Sequence, residues 1–341
     1  MDVEGTLLWS DLQHTPDVLT RTLAEESGRV AAAELLHSGE VRRLVAVGNG
    51  ASSYVAQALW LASLETPGAA PVQVTAVPAG LLATGRFRWA EGDAMLALSA
   101  SGEARDLIGA LRDLPAGVRR IAVTSTPGST IAGLAAAVVP VAQPATGPGE
   151  SLTHSHAFCG AVAACLALWA EYTGDATLEA ALHRSPGVVA DGIAPGLAWA
   201  TEVLAGADLP TAFFAFGSGT GWAAALEASL LVNELAQIPG EGVELREAAT
   251  TVMTTLRPGH LVVDLTPDAP GAQETEHACA GRGARVVAAV PNEPDTRVSP
   301  ITSFPAAAAL GLGLTLAAGA DPDAPAWSQT YFEVARERTP A

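Results

Sequence analysis

Short apolar runs recur along the chain, each closed by glycine or hydroxyl residues and followed by a segment with helical spacing. Over residues 15–37, Val18, Leu19, Leu23, Val30 and Leu35 share one side of an amphipathic leader helix. A strand is predicted over 43–47, a glycine turn at Gly48-Asn49-Gly50, and a helix over 52–64. Strands follow at 72–77, 94–99, 120–124 and 137–141. Ser101-Gly102-Glu103 opens a helix through Leu111, and Pro127-Gly128-Ser129 opens a shorter one. A Pro/Gly-rich loop spans 143–149, and a long helix over 155–172 closes the first unit. Unbroken apolar strands alternating with helices imply a parallel sheet covered on both faces.

The theme repeats after a stretch at 186–195 that reads as a hinge between two prolines. A strand over 211–216 leads through Gly217-Ser218-Gly219 into a helix over 221–237, then strands at 261–265 and 285–290 and a helix over 305–318. Strand, glycine turn and helix at 45–64 therefore recur at 213–235, a weak internal duplication. The fold expected is α/β: a leader helix at 1–38, then two flavodoxin-like domains, 39–185 and 196–341, related by a pseudo-twofold. Each would have a parallel sheet with helices on both faces.

Composition narrows the chemistry. The 341 residues carry a formal net charge of −18, which argues against nucleic acid or an anionic membrane as partner. The apolar runs 213–216 and 261–263 fall far short of the roughly 20 residues that span a bilayer. The start, Met1-Asp2-Val3-Glu4, is acidic where a signal peptide is basic. Cys159, Cys165 and Cys279 have no CxxC spacing, so neither a disulfide framework nor a metal site is indicated. The expected setting is cytoplasmic, with no cofactor. Every basic residue is Arg; no Lys occurs, which excludes imine chemistry on a protein ε-amine.

Three turns carry candidate chemistry. Val47-Gly48-Asn49-Gly50-Ala51-Ser52-Ser53 lets backbone approach a ligand at a helix start, with hydroxyl donors on Ser52 and Ser53. It is not a dinucleotide fingerprint, because the third glycine would fall at Ser53. Ser99-Ala100-Ser101-Gly102-Glu103 and Thr124-Ser125-Thr126-Pro127-Gly128-Ser129-Thr130 also follow strands, and in a parallel sheet all three lie at one carboxyl edge. Such a rim can hold an anion with hydroxyls and amides alone, as an acidic chain requires.

The order Gly-x-Gly-x-Ser, Ser-x-Ser-Gly-Glu-x-x-Asp and Gly-Ser-Thr resembles the sugar-isomerase (SIS) domain, in particular the isomerase half of glucosamine-6-phosphate synthase and related sugar-phosphate isomerases and deaminases. The likeness runs from Asp11-Leu12-Gln13-His14-Thr15-Pro16 to Asp321-Pro322-Asp323-Ala324-Pro325. It implies that Ser52, Ser99 and Ser101 hold a sugar phosphate, helped by amides around Gly50 and Gly102. Ala100 and Ala104 stand where the family has Gln and Thr, so two side-chain donors are missing.

The resemblance also assigns Glu150-Ser151-Leu152-Thr153-His154-Ser155-His156 to the sugar pocket, with His156 in place of a family Lys. His154 and His156 become candidate proton carriers. The segment Ala225-Leu226-Glu227 to Glu234 resembles a helix whose second carboxylate, here Glu234, moves a proton between C1 and C2. Leu231 replaces that helix's Lys. Glu247 matches a family Glu, while Thr250 occupies the place of the ring-opening His; His154, His156 or the off-register His260 would have to take that role. The reading is an aldose–ketose isomerase of a sugar phosphate or amino-sugar phosphate, expected as a homodimer. The alternative is a catalytically silent, regulatory sugar-phosphate-binding protein, or a deaminase or deglycase.

Overall fold

The computed structural model describes residues 3–68, 71–144, 155–289, 295–328 and 333. The chain forms two compact units, one built mainly on Asp17–Ala145 with His156–Arg184, the other on Ser185–Pro325 with Met1–Pro16. The elements run α1 (Leu7–Ala24), α2 (Ser27–His37), β1 (Arg43–Gly48), α3 (Ala51–Glu65), β2 (Gln73–Pro78), α4 (Ala79–Ala83), β3 (Asp93–Leu98), α5 (Arg105–Arg112), β4 (Arg119–Thr124), α6 (Thr130–Leu134), β5 (Ala137–Pro140), α7 (Ser155–Thr173) and α8 (Ala176–Leu204). Then come β6 (Ala212–Gly217), α9 (Gly221–Leu231), a π-helical turn (Val232–Ala236), β7 (Gly240–Glu244), β8 (His260–Asp264), α10 (Ala272–Gly281), β9 (Arg285–Ala288), α11 (Ser299–Thr302) and α12 (Phe304–Ala317).

The first sheet has strand order β2-β1-β3-β4-β5, every neighbouring pair parallel. Val45, Val47, Met95 and Ala97 point to one face and pack on Leu107, Ile108 and Leu111 of α5. Leu44, Ala46 and Leu96 alternate with them and are also buried. Burial on both faces is why these strands read as continuous apolar runs. The second sheet has order β7-β6-β8-β9, again parallel. Phe213, Ala215, Leu261 and Val263 pack on α9 and α12, while Phe214, Phe216 and Val262 pack on α10. Both are flavodoxin-like α/β sheets.

Three details depart from the sequence reading. The leader is two helices, because α1 starts at Leu7 and runs through Pro16, and a break at residues 25–26 precedes α2. The buried guanidinium of Arg29 donates to the Leu23 carbonyl at 3.1 Å and so closes the end of α1. The expected hinge is helical, with Pro186 and Pro195 inside α8; the burial of Val189 and Ala200 outweighs the helix-breaking tendency of proline. Strand β7 went unread because Gly240-Glu241-Gly242 lacks apolar alternation. Glycine is needed there: a side chain on residue 242 would lie 2.5 Å from the Leu226 backbone of α9.

The stretch Thr296–Ala317 is long and apolar enough to cross a membrane, although the sequence reading picked out no such run. Its most apolar window is 83% buried inside the protein, which accounts for its composition as that of a core helix.

Candidate functional site

In the first sheet the strand order reverses at β1 and β3, which lie side by side with Val47 opposite Ala97. The turns that follow them therefore leave the same carboxyl edge together, the place where open α/β sheets bind ligands. Gly50 closes the β1 turn at φ 53° and ψ −132°, a conformation for glycine, and starts α3. Ser52 is half-buried in the first turn of α3, whereas Ser53 is buried on its inner side, with its amide donating to the Gly50 carbonyl at 2.8 Å. The Asn49 amide donates to Asp106 Oδ2 at 3.3 Å, which ties the β1 turn to the start of α5.

After β3, Ser99 Oγ accepts the Gly102 amide at 3.0 Å and Ser101 Oγ accepts the Glu103 amide at 3.3 Å. This differs from the expected arrangement, in which amides around Gly102 face an anion. Here they bind serine oxygens, and each hydroxyl keeps its own proton to donate. Ser99 is buried and Ser101 half-buried. The third turn braces the second. Thr124 Oγ1, Thr126 Oγ1 and the Ser125 amide all donate to the Ala100 carbonyl, at 3.1, 3.2 and 3.1 Å. Glu103 grips Thr130 with both oxygens, accepting its amide and its hydroxyl at 2.8 Å each. Gly102 sits at φ 68° against Ser129, and a side-chain carbon there would fall 1.9 Å from Ser129 Oγ.

His156 starts α7 with only 1% of its surface exposed, its Nε2 3.3 Å from Gln143 Oε1. The Gln143 amide in turn donates to the Ser125 carbonyl at 3.5 Å. Glu150, Ser151 and His154 lie outside the described residues.

In the other unit, Glu227 and Glu234 stand seven positions apart, on α9 and on the π-helical turn that extends it. Burial pushes the Glu234 carboxyl up to about 7. Burial also holds Glu227 well above the usual carboxylate range, and the nearby Glu234 charge adds to it. The π turn ends at Gln237, which adopts φ 54°, the left-handed region that non-glycine residues rarely enter. A two-bond clamp closes the segment: the Asn233 amide donates to the Gly240 carbonyl at 2.9 Å, and the Gly240 amide donates to Asn233 Oδ1 at 2.8 Å. Wide helical turns and strained backbone of this kind concentrate at functional positions.

Glu247 is exposed in a short 3₁₀ turn and accepts the Thr250 hydroxyl at 3.3 Å. His260 begins β8, so it stands at the edge of its sheet opposite the strand ends that carry ligands, packed on Phe214. That position removes it from the ring-opening candidates, because the parallel strand carries it away from the rim.

One acidic constellation escaped the sequence reading. Asp264, at the carboxyl end of β8, is fully buried; its Oδ1 accepts the Thr266 amide at 2.7 Å, and its Oδ2 and Glu276 Oε1 are buried without a donor. Burial first, together with the neighbouring Glu276, pushes Asp264 up to about 6 against the Thr266 hydrogen bond. The signal available was an Asp ending an apolar strand before Thr266-Pro267.

No protein-family profile and no curated protein sequence matches this chain. Solved structures do. A protein from Silicibacter pomeroyi DSS-3, provisionally assigned as a phosphosugar isomerase, matches with 22% identity and TM-score 0.76 over 93% of this chain and 100% of its own. The C-terminal domain of glucosamine-fructose-6-phosphate aminotransferase from Francisella tularensis matches with 15% identity and TM-score 0.79 over 94% and 99%. Tagatose-6-phosphate ketose/aldose isomerase from Escherichia coli matches with 17% identity and TM-score 0.73 over 94% and 95%. With two parallel sheets of order β2-β1-β3-β4-β5 and β7-β6-β8-β9, the chain has the fold of the tandem sugar-isomerase domain proteins.

Proposed function

We propose that this protein binds a sugar phosphate or amino-sugar phosphate and interconverts its aldose and ketose forms. The observation that carries the reading is the hydroxyl rim at the β1/β3 switch, where Ser99 and Ser101 accept from the backbone and so still have a proton to donate. Ser52, Ser99 and Ser101 bind the phosphate. The N-terminus of α3 supports them with its free amides and dipole. Glu234 is the base that carries a proton between C1 and C2, a role suited to a carboxyl titrating near 7. His156, Glu247, Glu150, Ser151 and His154 remain assigned to the sugar end of the site.

The names of the similar structures support the reading: one is a ketose/aldose isomerase, one is provisionally a phosphosugar isomerase, and the third is the C-terminal domain of a glucosamine-fructose-6-phosphate aminotransferase. A second reading, binding without turnover, is favoured by one observation. Thr250, which cannot act as an acid or base near neutral pH, stands at the position the resemblance assigns to the ring-opening His, and it is tied to Glu247.

Proton exchange separates the two. In D2O, fructose 6-phosphate or glucosamine 6-phosphate should take up deuterium at the carbon beside the carbonyl. Glu234→Gln should slow uptake by about 10³-fold while binding of the sugar phosphate stays within about 3-fold. Binding with no exchange by the wild-type chain on either sugar would leave only the silent reading.

A further inference from the structure

Glu227 is 6% exposed, with Oε2 buried and without a hydrogen-bond partner. One helical turn on, at the position where a cation could reach it, stands Leu231, and the chain contains no Lys. No arginine pairs with Glu227 among the described residues. A carboxylate buried without a cation or donor costs far more than the neutral acid, so this group keeps its proton. A neutral carboxyl is a hydrogen-bond donor as well as an acceptor. The candidate base lies on the same helical path: Glu234 follows two turns later, and its charge acts on Glu227. Two carboxyls with different protonation states, on one helix, form the standard division of labour between acid and base.

We propose that Glu227 is the acid of the isomerisation, carrying the proton between the two oxygens while Glu234 carries the proton between the two carbons. The inference rests on the base role of Glu234 given above. Starting from the aldose, Glu234 takes the C2 proton, the C2–H electron pair becomes the C1–C2 double bond, and the carbonyl pair moves onto O1. Glu227 gives its proton to O1 and takes the O2 proton as the C2 carbonyl forms. Glu234 then returns its proton to C1. Both side chains end as they began, and no other reactant is needed.

Two readouts test this. The first is the infrared carbonyl stretch of a neutral carboxyl at pH 7, which should be present in the wild type and lost in Glu227→Gln. A spectrum unchanged by that substitution overturns the proposal whatever the activity. The second compares deuterium uptake with net conversion of fructose 6-phosphate. An amide donates a hydrogen bond but transfers no proton, so Glu227→Gln should retain uptake within about 10-fold and lose about 100-fold or more in net conversion. Glu227→Leu, which does neither, should lose both. Equal net conversion by Glu227→Gln and wild type overturns the inference and leaves the base in place. A wild type that exchanges with no sugar phosphate instead removes the base, and this inference falls with it.

Discussion

The two sheets share a plan and differ in chemistry at the same spot. Each reverses strand order after a Gly-x-Gly turn, and the second glycines hold nearly the same backbone, φ 53° at Gly50 and 54° at Gly219. Each turn is tied to the segment that follows the neighbouring strand, by Asn49 to Asp106 at the start of α5 in one unit and by the Ser218 amide to Thr266 Oγ1, just past β8, at 2.9 Å in the other. After β3 comes Ser99-Ala100-Ser101-Gly102; after β8 comes Asp264-Leu265-Thr266-Pro267. The first presents serine hydroxyls, which the proposed function assigns to a phosphate. The second presents a buried carboxyl pair that repels one. In the proposed function these four residues decide which of the two rims takes a phosphate, and the β-α-β frame itself is indifferent.

Breaking the first rim should have the largest effect. Gly102→Ala forces a side chain to within 1.9 Å of Ser129 Oγ at a positive φ, which costs about 3–4 kcal/mol from overpacking plus backbone strain. Calorimetry should show a melting temperature lower by several degrees and no measurable binding of fructose 6-phosphate. Unchanged binding would mean that the Ser99–Gly102 turn does not hold the phosphate.

The second rim should respond to pH. Folded Asp264 keeps its proton up to about pH 6, against 3.8 for an ordinary Asp. Between those values the folded chain binds more protons than the unfolded one, so stability falls as pH rises across the window and levels off above it. Asp264→Asn keeps an acceptor for the Thr266 amide and supplies a donor to Glu276. It should therefore stabilise by about 2–3 kcal/mol at pH 8, at ~1.4 kcal/mol per pH unit, and change little at pH 4. Melting curves at the two pH values that show no such divergence would sink the account of a buried Asp264 that holds its proton to about pH 6.

A smaller effect sharpens the role of the brace. Glu103→Gln weakens the two 2.8 Å bonds to Thr130 and should cost about 1 kcal/mol. Sugar-phosphate affinity should fall about 5-fold through a looser Ser101–Gly102 turn, with the deuterium-exchange rate at saturation unchanged. An altered rate at saturation would place Glu103 in the chemistry rather than in the support.

Much of this was legible in the chain as written. Period-two burial on both sheet faces made β1, β3, β4, β6 and β8 readable as apolar runs, and the helices between them dictated parallel pairing. The Gly-x-Gly and Ser-x-Ser-Gly-Glu segments were readable as turns because glycine and serine dominate turns where strands end. Strand β7 was hidden, since its glycines are there for α9 to pack on rather than for a pleated face. The helical state of Pro186 and Pro195, set by packing, opposes their local preference.

The sequence alone determined the class of fold, the rim that offers hydroxyls, and the absence of any amine for imine chemistry, because these follow from local pattern and from which residue types exist. Tertiary structure decided which serine oxygens accept backbone amides, that Glu227 is buried with one carboxyl oxygen lacking a hydrogen bond, and that Asp264 meets Glu276. Those properties depend on burial and on neighbours distant along the chain, and a carboxyl's protonation is set by what surrounds it rather than by its name.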